Sequence, residues 1–270
     1  MLEFHKDRYG YFQMQTQNAE KYVIPFIEQV KKLTHGTRVM EIGAGEGGVL
    51  KAFVNKGCIG VAVEMDVERV ENAEKYLAED ISAGRLKYIA CDIYKVSAAD
   101  LDGKFDLIVM KDVIEHIHDQ RKLISWLHEF LLPGGMIYFG FPPWQMPYGG
   151  HQQMGEKKLA KLPWLHLLPM GMYRGTLRLF GESPINIENL AEIKETGISI
   201  ERFERIVKET GWKVALKQHY LINPIYEFKF KLKPRKQGSL ITKIPWFRNF
   251  VTTCVYYVIE KKRLVMNDEG

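Results

Sequence analysis

The sequence predicts an α/β protein built on an open, doubly wound and mostly parallel sheet. Three observations predict it. Strand and helix candidates alternate from Thr37 to Phe141, and a glycine cluster, Gly43 to Gly48, turns the first strand into a helix. The strand candidates IGVAVE, LKYIAC, FDLIVM and MIYFGF are near-continuous apolar runs, which suits strands buried on both faces.

Residues 16–33 place Ala19, Tyr22, Val23, Phe26, Ile27, Val30 and Leu33 at spacings of three and four, the stripe of an amphipathic helix that Pro25 is expected to kink. Thr37 to Ile42 reads as the first strand, followed after the glycines by a helix from Val49 to Lys56. Ile59 to Glu64 is a strand, Val67 to Asp80 a helix, and Leu86 to Cys91 and Phe105 to Met110 are further strands. Gln120 to Leu132 supplies a helix that Pro133-Gly134-Gly135 ends before MIYFGF.

From Pro142 to Ile198 the alternation stops: prolines, Pro142, Pro143, Pro147, Pro163 and Pro169 among them, alternate with glycines, tryptophans and leucines, an insertion rather than a linker. A helix at Ile200 to Thr210, stopped by Gly211, resumes the pattern. Strands at Lys213 to Leu221, Ile225 to Lys233 and Val251 to Glu260 close it. The run from Tyr226 to Lys233 alternates aromatics and lysines with period two, as an edge strand protected by its lysines does. The parts are therefore a helical cap at 1–36, a ligand-binding core at 37–141, a lid insertion at 142–198, and the rest of the core with its basic strand at 199–270.

Composition excludes other classes. With 46% hydrophobic and 26% charged residues the chain is neither disordered nor fibrous. Cys58, Cys91 and Cys254 lie far apart with no C-x-x-C, so neither a disulfide framework nor a cysteine zinc site is encoded, and a reducing, cytoplasmic setting is expected. No run reaches the roughly 18 apolar residues of a bilayer span. From Lys229 to Arg263 ten Lys/Arg face one acid, Glu260, so the segment carries +9 of a net +5 and the remainder is −4. That is either a solvated face or a site for an anionic partner.

The glycine cluster lies where a strand meets a helix N-terminus, the place at which open α/β sheets bind ligands. Gly43, Gly45 and Gly48 also satisfy the dinucleotide fingerprint G-x-G-x-x-G, with Glu64 placed 21 residues on to hold a ribose, so the glycines alone are compatible with an NAD(P)-dependent oxidoreductase. Other features separate the readings. Glu41 stands two residues before the glycines, where it can face an ammonium group or brace the loop, and where a pyrophosphate would be repelled. Asp92 follows the third strand in Ala90-Cys91-Asp92-Ile93, placed to accept from an adenine amino group or to cap a turn. The fourth strand runs into Lys111-Asp112-Val113-Ile114-Glu115-His116. The only Tyr-x-x-x-Lys spacing that a short-chain dehydrogenase would need is Tyr257 with Lys261, in the final strand.

With these four ordered motifs the chain resembles the class I S-adenosylmethionine-dependent methyltransferases, most closely the bacterial small-molecule group that includes the ubiquinone-biosynthesis enzymes. The resemblance covers Thr37 to Phe141, with a weaker echo in the final strand. It implies a Rossmann-like seven-stranded sheet whose last strand is antiparallel, and S-adenosylmethionine as cofactor. Gly43, Ala44 and Gly45 would line its methionyl part with Lys111 nearby, Glu64 would take the ribose, Met65 would lie on the adenine, and Asp92 with Ile93 would bound that ring. Of the N-terminal aromatics that would fold over the cofactor, Tyr9, Tyr11 and Phe12, Tyr11 is assigned to it.

Methyl transfer from a sulfonium needs alignment and dryness more than a catalytic triad. A hydroxyl acceptor also needs a base, and His116 and His151, each following a strand at the ligand edge, are the candidates. Asp112, Glu115 and His116 could together hold a divalent cation; the expectation is that no metal is used. Trp144, Met146, Tyr148, Trp164, Leu165 and Tyr173 are candidate lid residues.

A small-molecule acceptor is expected, methylated on oxygen. Nucleic acid is not expected, because Lys111-Asp112-Val113-Ile114 stands where base-modifying enzymes carry an N-P-P-[YF] tetrapeptide. Apolar segments such as Trp164 to Leu168 and Pro245 to Phe247, ringed by lysines, allow peripheral membrane contact and a lipid-linked acceptor. Nothing in the sequence fixes the oligomeric state.

Overall fold

The computed structural model describes residues 7–262; Arg263, the last of the basic run, lies outside them. The chain forms α1 (Arg8–Asn18), a π turn (Ala19–Val23), α2 (Ile24–Ile27), β1 (Arg38–Ile42), α3 (Gly48–Asn55), β2 (Ile59–Glu64), α4 (Val67–Tyr76), α5 (Ala78–Ser82), β3 (Leu86–Ala90) and β4 (Phe105–Lys111). It continues through α6 (Gln120–Trp126), β5 (Leu131–Phe141), α7 (Met170–Leu179), α8 (Pro184–Thr196), α9 (Ile200–Glu209), β6 (Trp212–Ile222), α10 (Tyr226–Phe230), β7 (Arg235–Lys236), α11 (Ser239–Thr242), α12 (Phe247–Phe250) and β8 (Cys254–Lys261).

The strands form one sheet in the order β3-β2-β1-β4-β5-β8-β6-β7. Neighbours from β3 to β5 are parallel, and β8 lies antiparallel between β5 and β6. The expected doubly wound sheet with an antiparallel last strand is therefore present, enlarged to eight by the two-residue β7. Alternation along the strands feeds two cores. Met40, Ile42, Val61, Val63, Ile108 and Met110 face α6 and α9, whereas Val39, Ala62, Leu107 and Val109 face α1 to α3.

The N-terminal helix enters where the glycine turn ends. Thr16 Oγ1 donates to Gly48 O at 2.8 Å, and a Cβ at Gly48 would stand 2.5 Å from Phe12 O, so only glycine lets α1 approach this closely. Pro25, where a kink is expected, stands in the first turn of α2. It follows the π turn, whose wider hydrogen-bond spacing leaves no demand for the N–H that proline lacks.

Two expectations are corrected. Residues 225–233 form no strand: Asn223-Pro224 starts a helical turn, with Tyr226 N donating to Asn223 O at 2.9 Å, and Lys231 ends it at φ 56°. Tertiary contacts overrule the period-two pattern, since Glu227 pairs with Lys21 at 2.9 Å and also accepts from Tyr22. The insertion holds more regular structure than its prolines suggest, because α7 and α8 close a small core of Ala160, Tyr173, Leu177, Ile187 and Leu190. Tyr173 and Met146 are thus buried packing residues rather than lid surface, while Tyr148 and Trp164 are exposed and Trp144 and Leu165 half-buried.

Candidate functional site

The carboxyl edge of the parallel strands gathers the predicted residues. Beyond Ile42 the chain turns through Gly43 at φ 66°, where a Cβ would meet Val113 Cγ2 at 2.6 Å, and Gly43 N donates to Val63 O at 2.8 Å. Glu64, buried at the end of β2, ties the turn down: its Oε2 accepts from Gly45 N at 2.7 Å and its Oε1 from Asp66 N at 2.9 Å. Ala44 is buried within the turn, while Met65 stands 74% exposed beside Glu64.

Glu41 enters from the opposite side. Its Oε2 accepts from Leu50 N at 2.9 Å, which braces the first turn of α3. Burial pushes its pKa up to about 8, against the opposing pull of the Leu50 N–H and of Lys111. At the end of β3, Asp92 accepts from Tyr94 N at 3.0 Å and caps the short turn Ile93–Lys95. The Ile93 side chain packs into the core with Met40 and Ile42.

After β4 the chain reverses at Asp112, φ 56°, which folds that carboxylate back onto the buried Lys111 ammonium. Desolvation opposes both charges, yet the pairing wins: Lys111 is held above its ordinary pKa, and Asp112, with Lys229 and His151 also near, below its own. Tyr11 joins this group from α1, since Lys229 Nζ lies 4.7 Å from its ring centroid and 3.4 Å from its hydroxyl. Tyr9 and Phe12 pack instead on each other and on Tyr76.

The two histidines meet. His116, after β4, and His151, after β5 and held at φ 55°, have ring centroids 5.1 Å apart. His116 is exposed and His151 half-buried, and desolvation by the surrounding atoms lowers the pKa of both, that of His151 to about 4 with the charge of His116 adding to the effect, so both imidazoles are neutral near pH 7. Beside them Glu115 is buried with neither carboxyl oxygen hydrogen-bonded, and desolvation followed by Asp112 holds it protonated well above the usual range.

Ligand atoms of Glu115, His116 and His151 all lie within 4.8 Å of one another, a geometry able to relay a proton or to hold a cation. The trio differs from the one expected, because Asp112 is spent on Lys111 and His151 takes its place. The sequence names both histidines but carries no sign of their meeting, as 35 positions and a whole strand separate them. The rival Tyr257-Lys261 pair is structural: the buried Tyr257 donates to Glu204 at 2.8 Å, and Lys261 pairs with Trp212 at the opposite edge of the sheet.

Residues 14–186 match the family model described as a methyltransferase domain. A stretch of 121 residues is 25% identical to the ubiquinone biosynthesis O-methyltransferase of Azotobacter vinelandii (strain DJ), covering 43% of this chain and about half (48%) of that relative. Among solved structures, the magnesium protoporphyrin IX methyltransferase of Synechocystis PCC 6803 with bound SAH aligns at TM-score 0.55 and 13% identity over 97% of this chain and 88% of that one. An S-adenosylmethionine-dependent methyltransferase of Clostridium acetobutylicum ATCC 824 aligns at TM-score 0.55 and 12% identity over 91% of this chain and 92% of that one, and both likenesses establish the shared fold. With the family model matched across more than half of its length, on a sheet of the same fold, the chain belongs to the methyltransferase-domain family.

Proposed function

We propose that this chain is an S-adenosylmethionine-dependent methyltransferase acting on the oxygen of a small-molecule acceptor. The observation that carries the reading is the placement of two neutral imidazoles, His116 and His151, at the sheet edge that also bears the glycine turn and Glu64. The residues fit the cofactor. Each Glu64 oxygen takes one backbone N–H and retains a second lone pair for a ribose hydroxyl. Gly43 and Gly45 leave the turn without side chains, and Met65 and Asp92 stand at the adjoining strand ends. When bound, S-adenosylmethionine supplies an already activated methyl group on a sulfonium.

The chain's own residues then orient the acceptor and manage one proton. The proton of an acceptor hydroxyl would pass to His151 or His116, which are unprotonated and able to receive it as the oxygen takes the methyl group. The O-methyltransferase name of the relative supports transfer to oxygen.

Calorimetric titration of ligand-free protein with S-adenosylmethionine, S-adenosylhomocysteine, NAD and NADP tests the cofactor, with Glu64→Ala as control. Binding of the sulfonium pair, weakened in the variant, is expected; binding of a nicotinamide cofactor alone refutes the reading. Convergence of Glu115, His116 and His151 favours a second reading in which a divalent cation polarises the acceptor oxygen. Methyl transfer lost in chelator and restored by magnesium supports it, and full activity in chelator removes it.

A further inference from the structure

Two Pro-Trp turns stand out from the fold. Trp164 (φ 62°) and Trp246 (φ 64°) both hold a left-handed backbone that bulky residues rarely adopt, each directly after a proline, and each is exposed. Both turns are pinned from behind. Trp164 N donates to Pro147 O at 2.7 Å and its indole to Gln145 O at 3.1 Å, while Trp246 N donates to Glu201 Oε1 at 2.9 Å. The chain thus holds two indoles partly against solvent at some conformational cost.

Topology puts both on the ligand edge. Phe141 at the end of β5 pairs with Val255 at the start of β8, and Tyr220 near the end of β6 pairs with Cys254, so the segment 142–199 leaves the sheet at its carboxyl edge and the segment 223–253 both leaves and re-enters it there. Trp144 N donates to Ile198 O at 2.8 Å and closes the base of the insertion, and Ile200 N, two residues on, donates to Asn249 Oδ1 at 2.8 Å, which seats the Trp246 turn beside that base.

Around the indoles the surface is apolar and basic together. Leu240 is 77% exposed and Trp246 60%, with Leu162, Ile244 and Phe247 also exposed. Between residues 223 and 253 there are seven Lys/Arg and a single acid, Glu227, which is already paired with Lys21. Arg248 is buried against Glu201 and Glu204, which leaves Lys231, Lys233, Arg235, Lys236 and Lys243 to set the surface charge.

We propose that this face docks on an anionic lipid bilayer, with Trp164 and Trp246 seated at the headgroup level and the lysines of 231–243 against acidic headgroups, so that the mouth of the site opens toward the membrane. The chemistry selects this occupant. Indoles favour the membrane interface, aliphatic neighbours enter the acyl boundary, and a lysine cluster beside them draws the surface to negative headgroups. The inference stands on the surface alone and goes beyond methyl transfer.

The test is co-sedimentation of the whole chain with sucrose-loaded vesicles of phosphatidylcholine, alone or with one-third phosphatidylglycerol. Binding to the anionic vesicles at least about tenfold tighter, and strengthening as salt is lowered, is expected. Trp246→Ala with Phe247→Ala should weaken it about tenfold, as removal of two interfacial aromatics does. Lys231→Glu, Lys233→Glu and Lys236→Glu together should erase the preference for anionic lipid.

Calorimetry with S-adenosylmethionine and the thermal transition of each variant separate lost docking from lost folding, and a chain that binds vesicles without binding cofactor keeps this proposal while losing the functional one. Equal affinity for both vesicles, or unchanged binding in both variants, overturns it. So does sedimentation showing that the double aromatic variant abolishes a dimer of the chain, or a single-stranded RNA that binds the face in preference to vesicles.

Discussion

Glu41→Gln is a perturbation whose sign and size follow from the structure. The carboxyl is 3% exposed, accepts one backbone N–H, and has its pKa raised from an ordinary 4.5 to about 8. A folded-state pKa above the unfolded value means that the folded protein holds the proton more tightly. The stabilisation from this group is complete below pH 4.5 and is lost as pH rises from 4.5 through 8. One pKa unit corresponds to about 1.4 kcal/mol, so the loss is about 3 kcal/mol by pH 7 and approaches about 5 kcal/mol above pH 8. Glutamine keeps an oxygen to accept from Leu50 N and does not ionise.

Urea unfolding of both proteins at pH 5, 7 and 8.5 is the assay. The variant should match wild type near pH 5 within about 1 kcal/mol and exceed it by about 3 kcal/mol at pH 7, the gap widening to pH 8.5. Cofactor affinity at pH 8 should fall in the variant if the carboxylate also serves the ligand. Equal stability of the two proteins at all three pH values, or a variant losing stability as pH rises, refutes the placement of Glu41 as a buried, mostly protonated brace.

His151→Ala should lower kcat about a hundredfold with S-adenosylmethionine affinity unchanged, and His116→Ala should act in the same direction; loss of cofactor binding in either would assign them to the cofactor instead. Because His151 sheds its proton at about 4, kcat/KM should show no acid limb at 6.5, and a limb there would mean that another group is the base. His151, His166 and His219 all have pKa values lowered to about 4, so their contribution to stability is complete above 6.5 and lost as pH falls toward 4, by up to about 1.4 kcal/mol per pH unit each in urea titrations. Trp212→Phe removes the 3.0 Å bond from its indole to Ile124 O and shrinks the ring stacked on His128, and should cost about 1 to 3 kcal/mol, read as a lowered Tm.

The core was legible because its signals are local and redundant. Ile59 to Val63 is apolar throughout because both faces are covered, and Gly43 after Ile42 is required by a turn at φ 66° that leaves no room for a Cβ beside Val113. What failed was decided by distant partners. The alternation of Tyr226 to Lys233 is a sound strand pattern, overruled by Asn223-Pro224 and by Lys21 and Tyr22 more than 200 positions away. Within the site, Glu64 and Asp92 could be placed because they end strands. The exchange of Asp112 for His151 could not, since it depends on a left-handed reversal that aims Asp112 at Lys111.

The strand order has a bearing on how the molecule is made. β8, the last strand of the sheet, lies between β5 and β6 and is their bridge, with Cys254 to Ile259 buried. A chain emerging from the ribosome can close β1 to β5 early, yet the flank of β5 stays unpaired until more than a hundred further residues have been synthesised. During that interval Ile137 to Phe141 is an uncovered apolar ribbon that other nascent chains can pair with. Slow translation past residue 141 should therefore cost soluble yield, and holdase chaperones should restore it, without any change in the stability of the finished protein.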